Sequence, residues 1–354
     1  MKELSYYHSL ADPLVRSRKI GDEHTITSTY TDDVTGVSSS VNGATTAKEE
    51  LGRKYKTKDL GEAGLVLGIR IDRDRDKGTI SISQRAYLER VLTRYGMEDC
   101  SAKSTPLPLG TKLSKSQAPS TDDDHHYMRD KPYSEALGSI MYAQIATRPD
   151  LSYAVSTLSK FSSNPGKAHW QAILHVLQYI KGTLQYKLTY GGEGYQSLVP
   201  HGYVDADYGN DVDTRRSCSG QIFLQAGGPT SWGSKYQPTV ALSTTEAEYM
   251  ALTRGAQQVL WMHSAMSEVG FPQPKPAVLY GDNTGAVCLT ENTKHNARVK
   301  HIDIRHHYIR ERVKEGDIHV NHIPSKDNLA DLLTKPLSKH DHLRLCKLLR
   351  LYEE

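Results

Sequence analysis

Beyond Gly194 the spacing of apolar residues in this 354-residue chain changes, and the new order of segments restricts the fold more than any other feature. Three runs of β character come first, over residues 201–205, 220–225 and 239–242. Residues 244–267 then carry apolar side chains at helical spacing. A buried strand follows over 277–280, a helix over 303–314, a strand over 318–323 and a last helix over 326–334. Strands and helices in this order predict an α/β domain: a mixed five-stranded sheet with helices packed on its faces.

Upstream, residues 65–71 and 79–83 are short β runs on either side of Asp76-Lys77-Gly78, a turn signal suited to a hairpin. A helix is expected over 84–95, with Tyr87, Leu88, Val91 and Leu92 on one side, and helical spacing returns over 133–161 and 169–183. Three stretches read as loops: residues 34–44, rich in Ser, Thr and Gly; the polar segment 110–130; and residues 190–194. The acidic and imidazole groups of residues 122–126 are expected to be solvated rather than to bind metal.

A net charge of +3 permits nucleic-acid binding without demanding it, because a dedicated binder concentrates a basic stripe. No apolar run approaches the ~20 residues of a membrane span, and the first ten residues lack the apolar centre of a secretion signal. The expected compartment is intracellular, with no membrane partner. Cys100, Cys218, Cys288 and Cys346 match neither a zinc spacing nor a disulfide framework and are expected to be reduced.

Four acidic residues of the C-terminal third stand at the ends or inner faces of expected elements. Phosphodiester hydrolysis by two metals needs such a set: carboxylates converging on two Mg²⁺ ions ~4 Å apart, one activating water and the other stabilising the leaving oxygen. In Tyr203-Val204-Asp205-Ala206-Asp207 the period of two puts Asp205 and Asp207 on one strand face, where exposed strand-end carboxylates would look the same. Glu246 and Glu248 open the long helix ~200° apart, so both cannot face one site. Ser243-Thr244-Thr245-Glu246 is a capping-box pattern in which Glu246 reaches back to the Ser243 backbone. Glu248, beside the stripe Tyr249, Leu252, Ala256 and Val259, is then assigned as the ligand. Asp282 ends an apolar strand just before a helix beginning near Thr284, a place that suits a functional carboxylate or a helix cap equally. Asp331 sits on the last expected helix and by itself reads as a surface residue.

The order of these four, Asp on the first strand, Glu on the first helix, Asp after the fourth strand and Asp on the last helix, resembles ribonuclease H. The surrounding words narrow the resemblance. Arg215-Arg216-Ser217-Cys218-Ser219-Gly220, Ser231-Trp232-Gly233-Ser234-Lys235, STTEAEYMAL from Ser243, Asp282-Asn283, Lys300-His301-Ile302-Asp303 and ADLLTKPL from Ala330 look like the series in copia-type retrotransposons. Residues 196–340 thus resemble the ribonuclease H domain that ends the polymerase polyprotein of such elements. The resemblance implies hydrolysis of the RNA strand of RNA–DNA hybrids with two Mg²⁺ ions, Mn²⁺ being a substitute. Asp205, Glu248, Asp282 and Asp331 would be the catalytic metal ligands, with Asp207 competing for the first place. His322 is near the position of a mobile histidine in many ribonucleases H. Arg298, Lys300, His301 and Arg305 would lie on a basic helix face against hybrid phosphates; a solvated, ion-paired helix accounts for them equally well. Partners would be the hybrid and other products of the same polyprotein, in a cytoplasmic particle or the nucleus.

The likeness extends upstream. Tyr30-Thr31-Asp32-Asp33 resembles the YxDD hairpin of reverse transcriptases, and KTKDLGEAGLVLGIRID from Lys56, ISQRAYL from Ile82, TRPDLSYAV from Thr147 and YIKGT from Tyr179 look like the copia sequence beyond it. Polymerisation needs a third carboxylate from an earlier palm strand and a fingers subdomain, which the 29 residues before Tyr30 cannot supply. The expectation is an incomplete palm over residues 1–72 with Asp32 and Asp33 as a vestigial polymerase site, and a primer-grip-like hairpin with a mainly helical thumb or connection region over 73–190. The ribonuclease H domain follows over 196–340. DNA synthesis is not expected from this chain alone. The competing expectation is a catalytically silent remnant that only binds nucleic acid.

Overall fold

The computed structural model describes residues 6–195, 197–291 and 307–353. The chain begins with an antiparallel meander, β1 (Tyr7–His8), β2 (Val15–Ile20), β3 (Glu23–Tyr30) and β4 (Asp33–Ser38), followed by helix α1 (Val41–Lys54). Part of the expected loop over 34–44 is therefore strand and helix. Val34, Thr35 and Val37 suit β4 to its backbone pairing with β3, and an edge strand needs little side-chain burial to persist. Ser40, which reads as loop composition, is the N-cap of α1: its Oγ accepts the Gly43 N–H at 2.9 Å.

Next come β5 (Leu65–Val66), β6 (Ile69–Asp74) and β7 (Thr79–Ser83), the last two forming the expected hairpin, and helix α2 (Arg85–Arg94). The polar segment 110–130 is not all loop. It holds a 3₁₀ turn and helix α3 (Asp122–Arg129), whose first turn contains the three aspartates. Thr121 accepts the Asp124 N–H at 3.2 Å while the Asp124 carboxylate accepts the Thr121 N–H at 3.3 Å, and negative charge at a helix N-terminus is favourable. Helices α4 (Tyr133–Ala146), α5 (Ser152–Ser159) and α6 (Lys167–Gly182) bury Ile140, Leu158, Ile173 and Leu177 with Leu88 and Leu92 of α2. Strand β8 (Lys187–Gly191) takes in the first residues of the expected loop 190–194 and pairs with β7.

The expected mixed sheet then follows: β9 (His201–Ala206), β10 (Cys218–Gln225), β11 (Gly228–Tyr236), helix α7 (Thr244–Glu268), β12 (Ala277–Gly281), α8 (Thr284–Glu291), α9 (His307–Lys314) and β13 (Ile318–His322). Its order is β11-β10-β9-β12-β13, antiparallel across the first three and parallel from β9 outward. The third strand is not at 239–242. Ala226 and Gly227, both at positive φ, close a two-residue hairpin directly after β10, so the partner strand is complete by Tyr236 and residues 239–242 only lead into α7.

Phe223 and Ile222, adjacent on β10, point to opposite faces. Phe223 packs with Val204, Leu252, Val259 and Leu279 under α7, and Ile222 with Leu329, Leu333 and Leu345 on the other side. That second face is covered by a segment expected to be an α-helix over 326–334. It forms two 3₁₀ turns instead, Ser325–Asp327 and Leu329–Leu333. Asn328 divides them in an extended conformation, because its side chain accepts the Ala330 N–H at 3.2 Å and donates to the Val204 carbonyl of β9 at 2.9 Å. Helix α10 (Lys339–Leu348) and β14 (Leu351–Tyr352) return the chain to the middle region, where β14 pairs with β8 in the sheet β14-β8-β7-β6-β5.

The 3₁₀ segment can lie this close to β10 only because Gly220 has no side chain. A Cβ there would stand 2.7 Å from Thr334 Cγ2 and 2.9 Å from the Ala330 carbonyl oxygen. Gly220→Ala is therefore expected to cost about 1–3 kcal/mol of stability by overpacking. Denaturant unfolding checks this, and an unchanged midpoint would contradict it.

Candidate active site

Three carboxylates meet over the central strand. Asp205 is near the C-terminal end of β9, where it is buried. Glu248 lies in the second turn of α7, also buried, because the helix packs its Ala251, Leu252 and Ala256 side onto the sheet. Asp282 directly follows β12 and is half-buried. One carboxylate oxygen from each lies within 4.8 Å of the others. Three distant stretches of sequence are thus brought to one point by strand order.

Neighbouring residues take the structural duties that these three are spared. The Ser243 hydroxyl accepts the Glu246 N–H at 3.1 Å, while Glu246 Oε2 accepts from the Leu242 N–H at 2.8 Å, one residue before the expected Ser243. Asn283 caps α8 by accepting the Ala286 N–H at 2.9 Å, which resolves the alternative reading of Asp282 as the cap. Asp207 lies past the end of β9, and its Oδ1 accepts the Cys218 N–H at 2.6 Å on the neighbouring strand. Its Oδ2 is buried without a hydrogen-bond partner, and burial, more than the nearby charge of Asp205, pushes its carboxyl up to about 7. The period of two placed both aspartates on one face; the strand ends between them, so only Asp205 joins Glu248 and Asp282.

Asp331 is beside the group but not within the set of three. Its Oδ1 accepts from Lys335 Nζ at 2.7 Å, and the same ammonium lies 3.8 Å from Asp205 Oδ2. The buried Thr334 hydroxyl donates to Asp205 Oδ2 as well. Thr334 and Lys335 carry no assigned role in the sequence, although both stand in the quoted ADLLTKPL word and the Asp331–Lys335 spacing of four is a recognisable ion-pair signal. His322, exposed at the end of β13, has Nε2 3.1 Å from the Asp282 carbonyl oxygen. Arg298, Lys300, His301 and Arg305 lie outside the described residues, as does the start of the helix expected over 303–314. Asp32 sits exposed in the β3–β4 turn, where Thr31 takes φ 49°, and Asp33 sits exposed at the start of β4; among the described residues neither joins a cluster able to share a metal.

A second buried cluster, Asp150, His342 and Cys346, has a different character. Arg148 holds Asp150 through two contacts, Nε to Oδ1 at 2.9 Å and Nη2 to Oδ2 at 2.7 Å. The Tyr179 hydroxyl donates to Asp150 at 2.6 Å and lies 2.8 Å from His342 Nε2. Burial brings the His342 imidazole down to about 4, which leaves it neutral. The guanidinium already supplies the positive charge that a metal would bring.

At the three-carboxylate site, burial first and then the charges of Asp205 and Asp282 push Glu248 up to about 9, against the Ala206 backbone N–H and Lys335. Burial and the Asp205 charge push Asp331 up to about 7. Burial disfavours the Lys335 ammonium, but Asp205 and Asp331 outweigh it and hold the amine charged above the usual lysine range.

A mixed sheet ordered β11-β10-β9-β12-β13, with α7 across one face, is an RNase H-like domain. A family model described as reverse transcriptase (RNA-dependent DNA polymerase) matches residues 1–108. The chain is 40% identical over 98% of its length to the retrovirus-related Pol polyprotein from transposon TNT 1-94 of Nicotiana tabacum. It is 36% identical over 82% of its length to the Pol polyprotein from transposon RE1 of Arabidopsis thaliana. It belongs to the copia-type retrotransposon polyproteins, and spans 26% and 19% of those two relatives. Among solved structures, LC11-RNase H1 in complex with RNA/DNA hybrid aligns over 38% of this chain and 93% of its own, at 16% identity and a TM-score of 0.29. That likeness is too slight to weigh beside the strand order. Among the described residues no helix is long and apolar enough to cross a membrane.

The raised carboxyls fix a sign for stability. Folded Glu248 binds its proton more tightly than the unfolded chain, so its contribution is fullest below its ordinary value of 4.5 and is lost as pH rises through about 9. Between pH 6 and 9, where ordinary carboxylates are already ionised, the urea midpoint in EDTA should fall, and fall less steeply in Glu248→Gln. Equal slopes for the two proteins would contradict this assignment.

Proposed function

We propose that the RNase H-like domain, residues 196–340, hydrolyses the RNA strand of RNA–DNA hybrids with Mg²⁺ as cofactor. The observation that carries this reading is the convergence of Asp205, Glu248 and Asp282 within 4.8 Å, with Asp331 alongside. The donor set suits the cofactor. All four donors are carboxylates, the hard oxygen ligands that Mg²⁺ and Mn²⁺ prefer, with no soft thiolate among them. A proton at Glu248 and an ammonium at Lys335 balance part of the cluster's negative charge, as in a site suited to positive charge. Asp205, Glu248 and Asp282 would hold one ion, and Asp205 with Asp331 a second. Bound there, the ions would lower the pKa of an attacking water and stabilise the leaving oxygen.

The chain's own groups do the rest. Thr334 fixes one oxygen of Asp205. Asn328 ties the 3₁₀ segment bearing Asp331 to β9. His322 stands on the rim, where its imidazole could carry a proton to or from the scissile region. Arg298, Lys300, His301 and Arg305 are proposed to meet the hybrid's phosphates. Residues 1–72 are read as part of a polymerase palm, with Asp32 and Asp33 a vestigial site, and 73–190 as the connection that cradles the domain. The substrate would place the protein inside the cell, in a cytoplasmic particle or the nucleus, beside other products of its polyprotein.

A labelled RNA–DNA hybrid with Mg²⁺ tests the reading. Wild type should cleave the RNA strand, and Asp282→Asn should lower the rate at least about 100-fold, since a metal ligand supports several kcal/mol of the barrier. No cleavage by wild type, or equal cleavage by the variant, would overturn it. Salt-sensitive binding without cleavage would favour the silent remnant.

A further inference from the structure

We propose that Lys335 is a built-in counter-ion of the carboxylate site, holding with its ammonium the place of a second cation between Asp205 and Asp331 and yielding that place when the cation binds. The inference rests on the metal-site reading above and deepens it.

Asp205 comes from β9 and Asp331 from a 3₁₀ turn 126 residues later, and Lys335 Nζ is the cation between them, at 3.8 and 2.7 Å. Without it, two carboxylates from separate segments would face each other across a poorly solvated gap. The chemistry of the group points to a replaceable ion. A lysine ammonium is a compact point charge on a flexible stem, whereas an arginine fork locks onto a carboxylate through two parallel bonds. The chain uses both devices. At Asp150 it places Arg148, both side chains essentially inaccessible to solvent, in a fixed bidentate pair. At the site it places Lys335, whose side chain is 40% exposed and has open solvent into which to withdraw. The buried pair is permanent; the half-exposed one is suited to exchange. The Thr334 bond to Asp205 does not involve Lys335, so the exchange need not disturb the backbone.

This arrangement predicts a sign that a merely structural lysine would not give. A unit charge at this range is worth about one to three powers of ten in an equilibrium constant. In calorimetric titration of the full chain with Mg²⁺, Lys335→Gln should bind the weaker ion at least about tenfold more tightly than wild type. Lys335→Arg, which keeps the charge, should bind it no more tightly than wild type. In EDTA the melting temperature of Lys335→Gln should fall, and Mg²⁺ should raise it by more than it raises that of wild type. If Lys335→Gln is unfolded in EDTA, refolding on Mg²⁺ addition, followed by circular dichroism, supports the exchange; failure to refold in saturating Mg²⁺ overturns it. Weaker or unchanged Mg²⁺ binding in Lys335→Gln, with wild type binding normally, overturns this inference and leaves the metal site standing. Absence of Mg²⁺ binding in both proteins overturns the metal site itself and this inference with it.

Discussion

Three carboxylates drawn from three elements repel one another, and around that repulsion the domain's other features are arranged. Two like charges 4 Å apart in a partly solvated interior cost about 4 kcal/mol, a large share of the roughly 5–15 kcal/mol that a domain has in total. The chain meets this cost locally. Glu248 stays protonated, Thr334 donates to Asp205, and Lys335 lies between Asp205 and Asp331. The remaining expense is carried by packing: Phe223, Leu252, Val259 and Leu279 on one face of the sheet and Ile222, Leu329, Leu333 and Leu345 on the other. Each such side chain contributes about 1.5–3 kcal/mol on burial.

The two acidic clusters of this protein use the same electrostatics to different ends. Around Asp150 every polar group has a protein partner, Arg148, Tyr179 and His342 closing a network that fastens α10 to the middle region. Around Asp205 the partners are the Thr334 hydroxyl, the proton on Glu248 and the ammonium of the half-exposed Lys335, and the proton and the ammonium can leave. The contrast separates a cluster closed on protein partners from one left partly open, although both collect three groups close enough to share an ion. It also bears on the middle region. Helix α10 follows Lys335 closely in sequence and is held by residues of that region, so the last part of the site is supported from outside the sheet that bears the other carboxylates.

Much of this could be read from the residues. Apolar spacing marks four of the five strands of the mixed sheet and the long helix, and the capping pattern at Ser243 distinguishes Glu246 from Glu248. Asp205 could not be separated from Asp207 in this way, because a period of two holds only while the strand lasts and β9 ends at Ala206. The third strand was misplaced for a related reason. Its residues, Gly228–Tyr236, mix Gly, Ser and Lys with few β-branched side chains, and the register set by Ala226-Gly227 is a backbone property. The aspartates of residues 122–124 looked like linker because charge density masked a capping box. The final helix failed to form because Asn328 bonds to β9, a tertiary contact that no local pattern encodes. Lys335 was visible as a letter in a familiar word, but its role emerges only when Asp205, 130 residues away, is brought beside it.

The central claim is that Asp205, Glu248 and Asp282 share one divalent cation. Crystals of the full chain soaked in Mn²⁺ and measured at a wavelength where manganese scatters anomalously would test it most directly. The account predicts an anomalous peak within coordinating distance of an oxygen from each of the three. A well-ordered domain with no peak there, or with manganese at Asp150, His342 and Cys346 instead, would contradict it.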